Sequence, residues 1–321
     1  MKSVLAALLL AILAVSGPPA QAQVEKPIHV IVPFAAGGPT DVVARVLAPR
    51  LSEALKRSVV VENKVGATGA IGAALVAHSI PDGDTLLLGT SSIMAANPNL
   101  TPNLPFDPVR DFAPISLIAS VESVLVVNPS VPADNVQQLI AYAKAHPGKL
   151  TYASSGIGST YHLAGELFCA QAGIKMTHIP YKGAAPAIQD VLAGHVDAMF
   201  DNVSSAIANL KAGRVRALGV AALQRYPALG EIPTIAEQGL PGYQTTIWIA
   251  LFAPAATPPA VLANLQRAVA EAVQSPDYRD KLAAIDMQPR SSTPQELADY
   301  LKSELAKWAK VVKDAGIKPE S

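Results

Sequence analysis

Five short stretches of this 321-residue chain hold the residues whose types and spacing could do chemistry. The first is Gly37-Gly38-Pro39-Thr40-Asp41. Its glycines permit a sharp turn, proline suits the first position of a helix, and threonine and aspartate suit a cap or first turn. The unpaired N–H groups of such a helix start can hold an anion or a carbonyl oxygen. A similar arrangement recurs at Ser154-Ser155-Gly156-Ile157-Gly158-Ser159-Thr160-Tyr161-His162. Three more stretches, Gly89-Thr90-Ser91-Ser92, Pro180-Tyr181-Lys182-Gly183 and Asp201-Asn202, set hydroxyls, a phenol, an ammonium and a carboxylate behind apolar runs.

The catalytic signatures are missing. Gly156-x-Gly158 approaches the dinucleotide fingerprint, but Tyr161 stands where its third glycine belongs. No Gly-x-Ser-x-Gly elbow, Walker A loop or His-Glu-x-x-His occurs. His162 and Glu166 are one helical turn apart, yet two ligands without a third do not make a metal site. No cofactor is therefore expected. His162 reads as a hydrogen bonder that closes a loop or faces a ligand.

To act together these residues need strands that deliver them to one edge. A β-branched run at 28–32 ends at Pro33 and meets the glycine turn. Val42, Val43, Val46, Leu47 and Leu51 then keep helical spacing, and Pro49 is expected to kink or shorten that helix. Residues 59–61 lead through a small-residue loop at 62–70 into an Ala-rich helix, and 85–88 lead into the loop carrying Ser91. In the second half, 150–153 lead to the Ser155 loop, 176–179 to Tyr181 and 196–200 to Asp201. Strands alternating with helices at this spacing predict βαβ units and a mostly parallel sheet in each half, with ligands beyond the carboxyl ends of strands. The apolar run 115–127 is long enough to leave one lobe and enter another, and 244–254 is the return. The expected division is a leader at 1–22, a first lobe from 23–121 and 250–321, and a second lobe at 122–249. A last amphipathic helix over 294–315 puts Leu297, Leu301, Leu305 and Trp308 on one face.

Composition narrows the class. Half the residues are apolar, 16% are charged and the formal net charge is zero, so neither a nucleic acid nor an anionic membrane finds a basic footprint. Residues 1–22 read as a secretory signal, with Lys2, an apolar core and Ala20-Gln21-Ala22 before the cut. The mature chain then starts near Gln23 and is expected to be exported and soluble. Cys169 is the single cysteine, which excludes an intrachain disulfide and reads as a small buried apolar residue.

Taken in order, several segments carry a family resemblance: Pro33-Phe34 with Gly37-Gly38 and Asp41; Glu62-Asn63 with Gly66-Ala67 and Gly69; Pro81-Asp82-Gly83; Tyr152-Ala153-Ser154-Ser155-Gly156 with Gly158 and His162-Leu163; Pro180-Tyr181-Lys182-Gly183; and Pro233-Thr234 with Glu237, Gly239 and Leu240. Over essentially its full mature length the chain resembles the periplasmic receptors of tripartite tricarboxylate transporters, the Bug family. Asp84 stands where an aromatic residue is usual there, Thr68 where glycine is common, and Pro49 is unusual. The resemblance implies a two-lobed, type II-like Venus flytrap that closes on a small carboxylate, held largely by main-chain N–H groups, hydroxyls and water. It implies a site of Phe34, Ala35, Gly38, Thr40, Asp41 and Ser91 in the first lobe, and Ser155, Ser159, Thr160, His162, Tyr181 and Asp201 in the second. The implied partner is a membrane permease, with the receptor itself a monomer. Two other readings share these residues. One is an orphan sensor that shows its closed form to a signalling partner. The other is an exported α/β enzyme using His162, Asp41 or Lys182 for acid–base chemistry, which the leader and the missing motifs disfavour.

Overall fold

A computed structural model describes residues 26–317, and the leader expected at 1–22 lies outside the described residues. Short β-branched and apolar runs form the strands β1 (Ile28–Val32), β2 (Val59–Asn63), β3 (Thr85–Thr90), β4 (Phe112–Val121) and β5 (Ser123–Val127). They continue with β6 (Thr151–Ser154), β7 (Thr177–Pro180), β8 (Ala198–Asn202), β9 (Arg216–Val220), β10 (Ile247–Pro254) and β11 (Gln288–Pro289). Between them run α1 (Pro39–Leu55), α2 (Ala70–Ala77), α3 (Val136–Ala145), α4 (Thr160–Ala172), α5 (Ala184–Ala193) and α6 (Val203–Lys211). The chain ends on α7 (Pro259–Gln274), α8 (Pro276–Ala283) and α9 (Pro294–Asp314).

The strands sort into two sheets, ordered β11-β4-β10-β3-β1-β2 and β7-β6-β8-β5-β9. Both are mixed. Parallel pairing holds among β2, β1 and β3 and among β7, β6 and β8, the strands that feed the glycine turns and polar loops. Strands that carry the chain between lobes run antiparallel: β10 against β3 and β4, and β5 against β8 and β9. A strand returning from the other lobe enters its sheet from the cleft end, so its direction opposes that of strands that finish there.

One face of the first sheet is closed by α1 and α7. Val43, Leu47 and Leu51 pack with Val30, Val32, Leu86 and Leu88 and with Leu265 and Val269. Each such side chain contributes about 2 kcal/mol by leaving water. Pro49 does not end α1, which continues to Leu55. It lies on the exposed face, where the carbonyl it leaves without an N–H partner can turn to water. The second lobe has its own core, in which Val124, Val126 and Met199 meet Ala187, Val191 and Val203.

Two chain crossings and one helix join the lobes. Glu122 alone separates β4 from β5, the chain returns through β10, and α9 packs across both lobes, against β4 on one side and α4 on the other. Its apolar face, Leu297, Leu301, Trp308 and Val311, completes a core shared with Met94 and Phe252 of one lobe and Leu163 and Phe168 of the other. Thr293 and Glu296 cap α9 reciprocally, the Glu296 N–H donating to Thr293 Oγ1 at 3.2 Å and the Thr293 N–H to Glu296 Oε2 at 2.8 Å. Glu304 is buried on this helix and accepts from the indole N–H groups of Trp248 and Trp308, each at 3.3 Å. Lys307 pairs with Glu304 and donates to the Gln244 carbonyl at 3.1 Å, which ties α9 to the return crossing. Replacing Glu304 by alanine should strand two buried indole donors and leave Lys307 only its Gln244 bond, costing about 3 kcal/mol in urea unfolding. A loss below about 1 kcal/mol would mean that those donors find other partners.

Candidate functional site

The first turn is fixed from behind. Asp41 is buried at the start of α1, where its carboxylate accepts from the Gly37 N–H at 2.8 Å, from Arg45 Nε at 2.9 Å and from Asn63 Nδ2 at 2.9 Å. Asn63 also donates to the Phe34 carbonyl at 3.0 Å, so both ends of the turn are tied to β2. The Arg45 hydrogen bond, helped by those of Gly37 and Asn63, outweighs burial and holds the Asp41 carboxyl at about 2.

The opposite turn leads from β6 into α4. Gly156 and Gly158 have φ of +134° and +74°, a region that other residues reach only with strain. Ser159 caps the helix, its hydroxyl accepting the His162 N–H at 3.3 Å. The His162 ring lies behind the loop, where Nδ1 accepts the Gly158 N–H at 3.0 Å.

Both helix starts line one cavity of about 500 Å³ between the lobes. Phe34 and Thr40 stand on one side and Ser155, Gly156, Ile157, Gly158, Ser159 and Thr160 on the other, with Ile247 on β10 where the lobes join. Thr68, Thr90, Ser92, Asn97, Leu100 and Thr101 complete the wall, which contains no charged residue. A cavity walled by hydroxyls and reached by two helix starts favours an anion through dipoles rather than through a counter-charge.

Of the twelve residues expected to form the site, Phe34, Thr40, Ser155, Ser159 and Thr160 line this cavity. The other seven do not wall it. Gly38 is the N-cap of α1, and Ala35 is exposed beside it. Asp41 and His162 hold the two turns by hydrogen bonds to Gly37 and Gly158. Tyr181 donates to Asp190 at 2.5 Å, and burial together with that bond pushes its phenol up to about 12. Ser91 and Asp201 are buried at the ends of β3 and β8, and Ser91 Oγ and Asp201 Oδ2 have no hydrogen-bond partner among the described residues. Burial raises the Asp201 carboxyl above the ordinary range. Cys169 is buried and its thiol is pushed up to about 12, first by burial and then by Glu166.

Thr90 and Ser92 belong to the polar stretch at 89–92 but were not among the twelve, and Thr68, Asn97, Leu100 and Thr101 were not expected at the site. Ser92 follows Ser91 into a wide helical turn over Ser92–Ala96, where an open loop was expected, and its hydroxyl shares a 2.9 Å hydrogen bond with Thr90. Thr68 takes a left-handed backbone with φ of +53°, and Asn97 Nδ2 donates to its carbonyl at 3.2 Å. The available signal was polarity inside otherwise apolar or small-residue segments. Among the described residues no group of three or more His, Cys, Asp or Glu could hold a metal ion, and no helix is long and apolar enough to cross a membrane.

Two α/β lobes that share a polar cleft and are joined by crossing strands define the solute-binding class of Venus-flytrap proteins. Within it, the chain belongs to the family described as "Tripartite tricarboxylate transporter family receptor", whose model matches residues 43–317. Protein BugT of Bordetella pertussis is 39% identical over 294 residues, covering 91% of this chain and 90% of that protein. Among solved structures, Rpa4515 of R. palustris with adipate is 40% identical with a TM-score of 0.75, over 92% of this chain and 98% of that one. MatC from Rhodopseudomonas palustris with bound malate is 34% identical with a TM-score of 0.71, over 89% of this chain and 98% of that one.

The Asp41 bonds set a pH window. Its carboxyl titrates at about 2 in the fold against 3.8 when free, so its stabilisation is full above about 4 and is lost as the pH falls towards 2. Asp41→Asn should lower stability by about 2 kcal/mol at pH 7, and that deficit should shrink at pH 2. Urea midpoints at the two pH values measure this, and an equal deficit at both would contradict it.

Proposed function

We propose that the chain is a periplasmic receptor that captures a small organic carboxylate between its lobes, without turnover, and presents it to the membrane subunits of a tripartite tricarboxylate-type transporter. One observation carries this reading. The starts of α1 and α4, on opposite lobes, line the same uncharged, hydroxyl-rich cavity. Helix-start N–H groups and hydroxyls suit a carboxylate, and a ligand touching both lobes favours the closed form by its differential affinity for that form. Adipate and malate in related structures are both small dicarboxylates, which fits a helix start on each side of the cleft.

Phe34, Thr40, Ser155, Ser159 and Thr160 are the direct contacts in this proposal. Gly38 and Ala35 shape the first turn, Asp41 and His162 hold the turns from behind, and Tyr181, Ser91 and Asp201 flank the cleft. The two groups best suited to acid–base chemistry, Asp41 and His162, are occupied with backbone N–H groups, and Lys182 is exposed outside the cavity wall. That favours binding over catalysis. Export by a cleavable leader at 1–22 and a soluble monomeric mature chain complete the proposal.

Calorimetry of the chain from Gln23 onward against adipate, malate and other C4 to C6 dicarboxylates tests it, with recovery of the ligand unchanged. Ligand at about 100 times its dissociation constant should add about 2.7 kcal/mol of stability. Ser155→Ala should weaken the binding of any hit about fivefold to tenfold while leaving the unfolding midpoint in place. Saturable binding that Ser155→Ala leaves unchanged would remove this loop from the site. A consumed ligand would overturn the receptor reading.

A further inference from the structure

We infer that His162 and His178 form a neutral stacked pair that positions the Ser155–Ser159 loop, and that protonating the pair in acid dismantles the second-lobe wall of the cleft. The inference rests on the receptor reading above only for its ligand readout. His162 is at the first turn of α4 and His178 on β7, and their rings stack with centroids 3.9 Å apart and planes 13° apart. Tyr152 on β6 stacks on His178 at 5.0 Å, and its hydroxyl donates to Glu166 at 2.5 Å.

Each imidazole holds one glycine of the loop. His162 Nδ1 accepts the Gly158 N–H at 3.0 Å, which requires that Nδ1 carry no proton. His178 Nε2 lies 2.6 Å from Ser154 Oγ, and that hydroxyl accepts the Gly156 N–H at 3.1 Å and lies 3.0 Å from the Gly156 carbonyl oxygen. The Ser154 hydroxyl has one proton, so the tautomer of His178 sets whether Nε2 donates to Ser154 or accepts from it. Gly156 and Gly158 are the two positions where the loop needs its positive φ, and the residues from Ser155 to Thr160 wall the cavity. The two rings therefore form the floor on which this wall rests.

A proton on His162 Nδ1 would turn an acceptor into a donor facing another donor, the Gly158 N–H. Two imidazolium rings at this stacking distance would also repel. The titratable groups around the pair are Tyr152, Glu166 and Cys169, with Tyr243 beyond, donating to the Ala164 carbonyl at 2.8 Å. Glu166 Oε1 is 3.7 Å from His162 Nε2, too far for a hydrogen bond. Burial, joined at His162 by the neighbouring ring, lowers both histidines to about 4. The sign follows. Free histidine titrates near 6.5, so the stability that the neutral pair brings is complete above that value and is lost as the pH falls from 6.5 to about 4.

Two readouts test the pair. In the ligand-free protein the Gly158 amide resonance should move with pH and report a midpoint near 4. His162→Asn supplies a neutral acceptor in place of Nδ1 and should reduce that movement to what His178 alone causes, whereas a Gly158 amide flat from pH 3 to 7 in the unaltered protein would overturn the inference. With adipate or malate as probe, His162→Phe keeps a ring in the stack without an acceptor and should lose about tenfold in affinity at pH 7. His162→Asn should keep the pH 7 affinity and lose part of the acid decline. His162→Phe binding as tightly as the unaltered protein would overturn the inference. If neither acid binds the unaltered protein, the carboxylate reading fails, and the Gly158 titration still decides the histidine pair.

Discussion

Everything about this molecule depends on the antiparallel pairing of β4 with β10, because these are the strands by which the chain leaves one lobe and returns. Their register runs from Ile247 opposite Val121 to Pro254 opposite Phe112, and Glu122 lies one residue beyond the pair. The buried Glu122 carboxylate accepts from Thr246 at 2.6 Å, and its carbonyl accepts the Val203 N–H of the second lobe at 3.0 Å. Arg290 Nε donates to Ser120 at 3.0 Å, and its Nη2 lies 3.6 Å from Glu122. Burial pushes this carboxyl above the ordinary range against the pull of Thr246 and Arg290. Two strands and one buried acid thus hold the lobes in register. Turning one lobe on the other would concentrate backbone change at Glu122 and at Gln244 to Thr246.

That constraint explains the cleft. Parallel strands finish at the edge where the lobes meet, so the helices that follow β1 and β6 begin there. Charge is kept one layer back, where Asp41 is neutralised by Arg45 and Glu166 is bonded by Tyr152. The wall itself is hydroxyl, amide and apolar surface. A fixed cation would hold any anion strongly in either state, whereas dipoles spread over two lobes act together only when both surround the ligand.

Much of the fold was legible in the chain. The β-branched run at Ile28–Val32, the Pro39-Thr40-Asp41 helix start and the amphipathic last helix all stand where local chemistry puts them. What local chemistry does not encode is long-range: the antiparallel entry of β5 and β10 follows from the double crossing, and Pro49 is tolerated because its face of α1 meets water. The site divides in the same way. Asp41, His162 and Tyr181 draw attention as the most reactive types, and each is bonded to structure behind or beside the loops. Thr68, Asn97 and Thr101 look ordinary in sequence, and only the tertiary arrangement brings them to one cavity.

Closure of the lobes on a carboxylate is tested most directly by a spin-label distance across the cleft. Val65 on the first lobe and Lys182 on the second are exposed, and labels on cysteines placed there leave the buried Cys169 untouched. Saturation of the mature chain with a dicarboxylate that calorimetry shows to bind should shorten the mean distance by several ångström and narrow its distribution. An unchanged distribution at saturation would show that the cleft binds without closing, and the hinge at Glu122 would lose its functional meaning.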